Sequence, residues 1–92
     1  MNKKIFIACD TTNLSLVKKI FKETKTNKLN INYKFGLEFF NSKKGRVFLS
    51  KVKNKIIWLD LKLFDIPNTV YSSILALKDL RNVRYLTIHA SG

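Results

Sequence analysis

Between Ile56 and Thr69 the chain reads Ile-Ile-Trp-Leu-Asp-Leu-Lys-Leu-Phe-Asp-Ile-Pro-Asn-Thr, and no other stretch restricts the fold as strongly. It begins as a short continuous run of branched and aromatic residues, the pattern of a strand buried on both faces, as in parallel sheets. Side chains alternate along a strand, so Asp60 and Lys62 share one side. Asp65 then falls in a loop, and Pro67-Asn68-Thr69 opens a helix. An acid, a base and a second acid therefore leave the carboxyl end of one strand together, where parallel α/β proteins place their chemistry.

The rest of the chain repeats this grammar. Ile5 to Cys9 is a short apolar run ending in Asp10, and Thr11-Thr12-Asn13 supplies a turn with capping residues. Leu14, Val17, Ile20 and Phe21 recur at helical spacing, predicting a helix that ends near Thr24. Ile31 to Phe40 reads as a second strand and its exit. It carries Lys34, Glu38 in a structural role, and Gly36, which suits a backbone that bends or is approached closely. A helix is expected over 42–53, interrupted by Gly45, with Lys43, Lys44, Lys51, Lys53 and Lys55 on a solvated face. Val70, Ile74 and Leu77 mark a further helix, from Asn68 or Thr69 to Leu80, and Val83 to His89 a fourth strand.

Strands thus begin near residues 5, 31, 56 and 83, one βα unit apart. Such spacing predicts parallel βα repeats, and right-handed crossovers bring every strand's carboxyl end to one face. Asp10, Lys34, Asp60, Lys62 and His89 all fall there. A histidine at a strand end is more often structural than chemical, so His89 is assigned no role.

Composition narrows the class. The 92 residues are 46% hydrophobic, with mean hydropathy −0.08, a globular balance with one core expected over 1–92. No apolar run approaches the ~20 residues of a membrane span. The start, Met1 to Cys9, is too short and too soon broken by Asp10 for a signal peptide. The single cysteine, Cys9, forms no internal disulfide and suits a reducing cytoplasm. The formal net charge is +12, but the lysines are spread along the chain and no nucleic-acid motif accompanies them. Solvated helix faces are the expected place for them.

Asp60-Leu61-Lys62-Leu63-Phe64-Asp65-Ile66-Pro67-Asn68-Thr69 resembles the Asp-x-Lys-x-x-Asp-Ile-Pro-x-Thr signature of orotidine 5′-phosphate decarboxylases. Asp-x-Lys alone would be shared with sugar-phosphate lyases of the same superfamily; Asp-Ile-Pro-Asn-Thr makes the match specific. Lys34-Phe35-Gly36-Leu37-Glu38 resembles the family's Lys-x-Gly-x-Glu segment, and Thr87-Ile88-His89-Ala90-Ser91-Gly92 its Thr-Val-His-Ala-Ser-Gly. The resemblance is weakest over 41–55. It implies a TIM (β/α)8 barrel of which 92 residues hold about the first four strands and three helices, since a whole barrel needs ~250 residues.

The resemblance also implies a reaction, the decarboxylation of orotidine monophosphate to uridine monophosphate without metal or organic cofactor. Lys62 would be the proton donor, Asp60 would lie near the substrate carboxylate, and Lys34 and Asp65 would complete an alternating row of charges. Asp10 would hold ribose hydroxyls. Asp65, Ile66 and Thr69 would reach a neighbouring subunit's site, which implies a homodimer. The loop that closes over substrate and the arginine that grips its phosphate belong to the family's second half. A chain of this length is therefore expected to be weak or inactive without a complementary carboxy-terminal half, with two sheet edges open. Two other readings compete: a related sugar-phosphate lyase, and a non-catalytic basic half barrel that binds nucleotides, nucleic acid or a partner chain.

Overall fold

A computed structural model describes residues 3–61, Leu75 and residues 80–88. The strands are β1 (Lys4–Cys9), β2 (Asn30–Gly36), β3 (Ile57–Leu61) and β4 (Val83–Ile88); between them lie α1 (Leu14–Glu23), α2 (Leu37–Asn41) and α3 (Lys43–Lys51). The four strands form one sheet in the order β1-β2-β3-β4, every neighbouring pair parallel. Parallel strands laid down in sequence order, joined by helical crossovers, are the repeat of a TIM barrel, and among the described residues the sheet is not closed.

Strand alternation divides the sheet into two faces. Cys9, Phe35 and Leu59 align across β1, β2 and β3, as do Tyr33 and Ile57 on β2 and β3. All are at most 1% exposed and pack with Val17, Phe39, Phe40 and Leu49 from the helices. The opposite face carries Phe6, Lys34, Trp58, Asp60 and Tyr85. The rings of Phe6 and Tyr85 meet edge-on at 5.4 Å, and Phe6 meets Trp58 at 5.3 Å. Strands three steps apart in a flat sheet would stand ~14 Å apart. Contact between β1 and β4 side chains therefore requires a sheet curled around this face, like the wall of a barrel.

The helices begin where the sequence signals. Asn13 caps α1, its Oδ1 accepting the Leu16 N–H at 3.2 Å, and Thr24 closes it, its hydroxyl 2.6 Å from that of Tyr33. The region 37–53 departs from expectation. A short helix, α2, follows β2 directly, and one hydroxyl joins it to α3. Ser42 Oγ accepts the Gly45 N–H at 3.0 Å and donates to Phe39 O at 2.8 Å. Gly45 does not interrupt α3 but lies buried within it, packed on the Phe39 carbonyl; a Cβ there would also meet Ser42 Oγ at 2.6 Å. Gly36 is neither crowded nor strained. Its backbone is extended, φ −92° and ψ 178°, and an added Cβ would meet nothing within 4 Å.

Two asparagines tie loops to this frame. Asn32, 2% exposed, accepts the Ile56 N–H at 2.7 Å and so anchors the entry to β3. Asn82 donates to the carbonyls of Leu49 and Val52 at 3.1 and 3.0 Å, holding the end of α3 against the start of β4. Asn54 has φ 63°, a left-handed turn that asparagine tolerates better than most residues. The expected helix from Asn68 or Thr69 to Leu80 lies outside the described residues apart from Leu75, which is helical, and Leu80. No helix among the described residues is long and apolar enough to cross a membrane.

Candidate active site

Register brings the charged residues together. Ala8, Lys34, Trp58 and Tyr85 stand abreast across the four strands; one step toward the carboxyl ends, Gly36, Asp60 and Thr87 stand abreast. Lys34 and Asp60 are thus diagonal neighbours on adjacent strands of one face, within reach of long side chains. Lys34 Nζ lies 3.0 Å from Asp60 Oδ2, with the side chains 30% and 18% exposed. Partial burial strengthens such a pair. Two charges ~4 Å apart interact by about 1 kcal/mol in water but by about 4 kcal/mol at an effective dielectric near 20.

The ammonium of Lys34 also sits over the Trp58 ring, 4.9 Å from its centroid. The ring is itself fixed. Its Nε1 donates to Thr87 Oγ1 at 2.9 Å, and Phe6 packs edge-on against it. An ammonium is therefore held between a carboxylate and an immobilised aromatic face, so its direction is set before any ligand arrives. Trp58 and Thr87 were not singled out from sequence as site residues. Trp58 could have been found, because it lies two residues before Asp60 and alternation puts both on one face.

Above this pair opens a cavity of about 610 Å³ at the carboxyl ends of β1, β2 and β3, lined by Asp10, Thr11, Thr12, Lys34, Glu38 and Asp60, among others. Its size is that of a small-molecule site. Gly36 is part of the wall, and its missing side chain leaves space there. Three of the chain's six acids, Asp10, Glu38 and Asp60, stand around this one cavity in a chain of net charge +12. Glu38, expected to be structural, is exposed in the first turn of α2 and faces the opening. Among the described residues no group of three His, Cys, Asp or Glu is placed to hold a metal ion.

Of the residues singled out from sequence, Asp10, Lys34 and Asp60 are brought to one cavity. Lys62, Asp65, Ile66, Thr69 and His89 lie outside the described residues. Cys9 is buried under the same rim, and burial, reinforced by the neighbouring Asp10 charge, pushes its thiol pKa up to about 11. A thiol so held is protonated and inert at neutral pH.

Comparison with known proteins follows the same line. The profile of the orotidine 5′-phosphate decarboxylase / HUMPS family matches residues 3–92. A relative from Fusobacterium nucleatum, named orotidine 5′-phosphate decarboxylase, is 37% identical over 94 residues, which span 100% of this chain and 38% of the relative. Relatives of the same name from Oenococcus oeni and Listeria innocua are 36% and 40% identical, again over 100% of this chain, and over 40% and 38% of their own lengths. The chain thus spans about two-fifths of the length of the curated relatives it matches. No solved structure matches it.

Proposed function

The chain belongs to the orotidine 5′-phosphate decarboxylase / HUMPS family, and on that premise we propose that Asp10, Lys34, Asp60, Lys62, Asp65, Ile66 and Thr69 are its share of a site that converts orotidine monophosphate to uridine monophosphate. The single observation that carries this reading is the Lys34–Asp60 pair, 3.0 Å apart and half-buried at the mouth of the cavity. Asp10, across the cavity, would accept hydrogen bonds from the ribose hydroxyls.

The chemistry needs charge fixed in advance. Cleaving the bond to the carboxyl group releases carbon dioxide and leaves the bonding electron pair on a ring carbon with no adjacent sink. An ammonium held close to that carbon stabilises the developing anion and then gives it a proton. Fixed charges are effective here because they need no reorganisation and because the closed site excludes water. Lys62 has that role. Asp60 lies by the departing carboxylate and holds Lys62, while Lys34, clamped between Asp60 and Trp58, keeps Asp60 directed. Asp65 ends the alternating row, and with Ile66 and Thr69 reaches the site of a second subunit in a dimer.

Turnover is expected of this chain together with the segments that make up the rest of its relatives' length, since binding energy from remote parts of a substrate orients its reacting centre. A reducing, cytoplasmic setting suits the free thiol of Cys9. The test is a decarboxylation assay on the purified chain, alone and mixed with the carboxy-terminal part of a relative. Turnover in the mixture that vanishes in Lys62→Ala supports the assignment; turnover that survives it overturns Lys62 as proton donor. Binding is read separately. Trp58 is the sole tryptophan and lies against Lys34, so uridine monophosphate is expected to change its emission, and Lys34→Ala to abolish saturable binding.

A further inference from the structure

A second cavity lies at the opposite end of the strands from the first. It has a volume of about 470 Å³ and is formed where α1 and α3 end. Phe21, Tyr33, Phe48 and Val52 make its floor, and Lys22, Lys25, Lys51, Lys53 and Lys55 surround it. We propose that this cavity binds a nucleoside polyphosphate, its ring against the apolar floor and its phosphates among the lysines.

Helix carboxyl ends attract cations, so lysines there could serve only to satisfy free carbonyls. Here several of the carbonyls at those ends have other partners. Thr24 donates its hydroxyl to Ile20 O at 2.7 Å. Asn82 occupies the carbonyls of Leu49 and Val52, and Ser50 that of Val47. No acid lines the cavity, and none of the five lysines is ion-paired among the described residues. Five like charges converge on one opening without a counter-ion among the described residues, in a chain that gathers three of its six acids at the other end. That is a field for a multiply charged anion.

The floor adds an apolar requirement. Phe21 stacks on Tyr33 at 3.7 Å and meets Phe48 edge-on at 5.2 Å, so the ring cluster is rigid. The only hydroxyl on the floor, that of Tyr33, is already engaged with Thr24 at 2.6 Å. The Thr24 proton goes to Ile20 O, so the Tyr33 hydroxyl donates to Thr24 and no side-chain donor remains on the floor to read a base edge; the site should select a ring of suitable size with little preference among bases. Lysines are point charges without the bidentate geometry of arginine. Affinity should therefore follow phosphate count and fall with salt, the screening length being ~10 Å at 0.1 M ionic strength.

Adenosine triphosphate, inorganic tripolyphosphate and adenosine are titrated into the purified chain by calorimetry. One equivalent of adenosine triphosphate should bind, with tripolyphosphate weaker and adenosine not detected. The double variant Lys51→Ala/Lys53→Ala, which alters only exposed side chains, should weaken binding about tenfold or more, and its thermal unfolding shows that it is folded. Lys34→Ala and saturating uridine monophosphate should leave binding unchanged, which separates this site from the proposed catalytic one. Absence of saturable binding overturns the proposal, as does equal affinity for tripolyphosphate, competition by uridine monophosphate, or indifference to the double variant. Binding of an oligonucleotide that tightens with length, or of anionic vesicles in preference to the free nucleotide, overturns it in favour of a nucleic-acid or lipid surface.

Discussion

Lys34 Nζ and Asp60 Oδ2 stand 3.0 Å apart although 26 positions separate them in the chain, because parallel register places Gly36, two residues beyond Lys34, abreast of Asp60. Replacing Lys34 removes this contact from a half-buried carboxylate, and replacing Asp60 removes it from a half-buried ammonium. Lys34→Ala should lower stability by about 1–2 kcal/mol, less than the ~3–5 kcal/mol of a fully buried pair because water still reaches both groups. Chemical denaturation of Lys34→Ala, Asp60→Ala and the double variant measures it. A coupling energy near zero would show that the pair contributes nothing.

Gly45 offers a sharper structural test. At an ordinary helix position Gly→Ala adds up to about 1 kcal/mol of stability. Here the new methyl would run into the Phe39 carbonyl and Ser42 Oγ, so Gly45→Ala should instead destabilise by about 1–3 kcal/mol. A raised melting temperature would disprove the close approach of α2 and α3.

The two carbonyls held by Asn82 belong to the end of α3, far from it in sequence. Asn82→Ala leaves both without that donor, and the expected cost is about 1–2 kcal/mol. A shift in denaturant midpoint with unchanged slope is the signature to look for; an unchanged midpoint would mean that water replaces the amide.

Cys9 sets a pH dependence. Burial, then the Asp10 charge, raises its pKa from 9.0 to about 11. Between those values the unfolded thiol loses its proton while the folded one keeps it. Stability from this group is therefore complete below about pH 9 and is lost as pH rises toward about 11. The difference in unfolding free energy between the parent and Cys9→Ala should shrink across that window. At pH 8, alkylation should be slow and should accelerate only when the chain is unfolded by denaturant.

What the letters determined was periodic. Continuous apolar runs ending in Asp10 and Asp60, spaced by helical patterns, announced parallel βα repeats, and alternation alone put Asp60 on a definite face. The boundaries of α1 were legible because Asn13 and Thr24 signal them through local hydrogen bonds. The candidate residues Asp10, Lys34 and Asp60 were named from motif and strand position, and the fold brings those three to one cavity.

Other features depend on what meets across the chain. Gly36 reads as a bend yet is extended; Gly45 reads as a break yet is a packing contact inside α3. A missing side chain looks the same in the sequence whichever need it serves, and only the neighbours decide. The clamp of Trp58 on Lys34 depends on the register of β2 with β3. The five-lysine cavity depends on two helices ending side by side. The sequence by itself fixes which side of its own strand or helix each residue occupies, because that follows from backbone geometry. Which residues from distant segments share a surface was decided by tertiary packing, because register and curvature come from burying the apolar faces of all the strands and helices together.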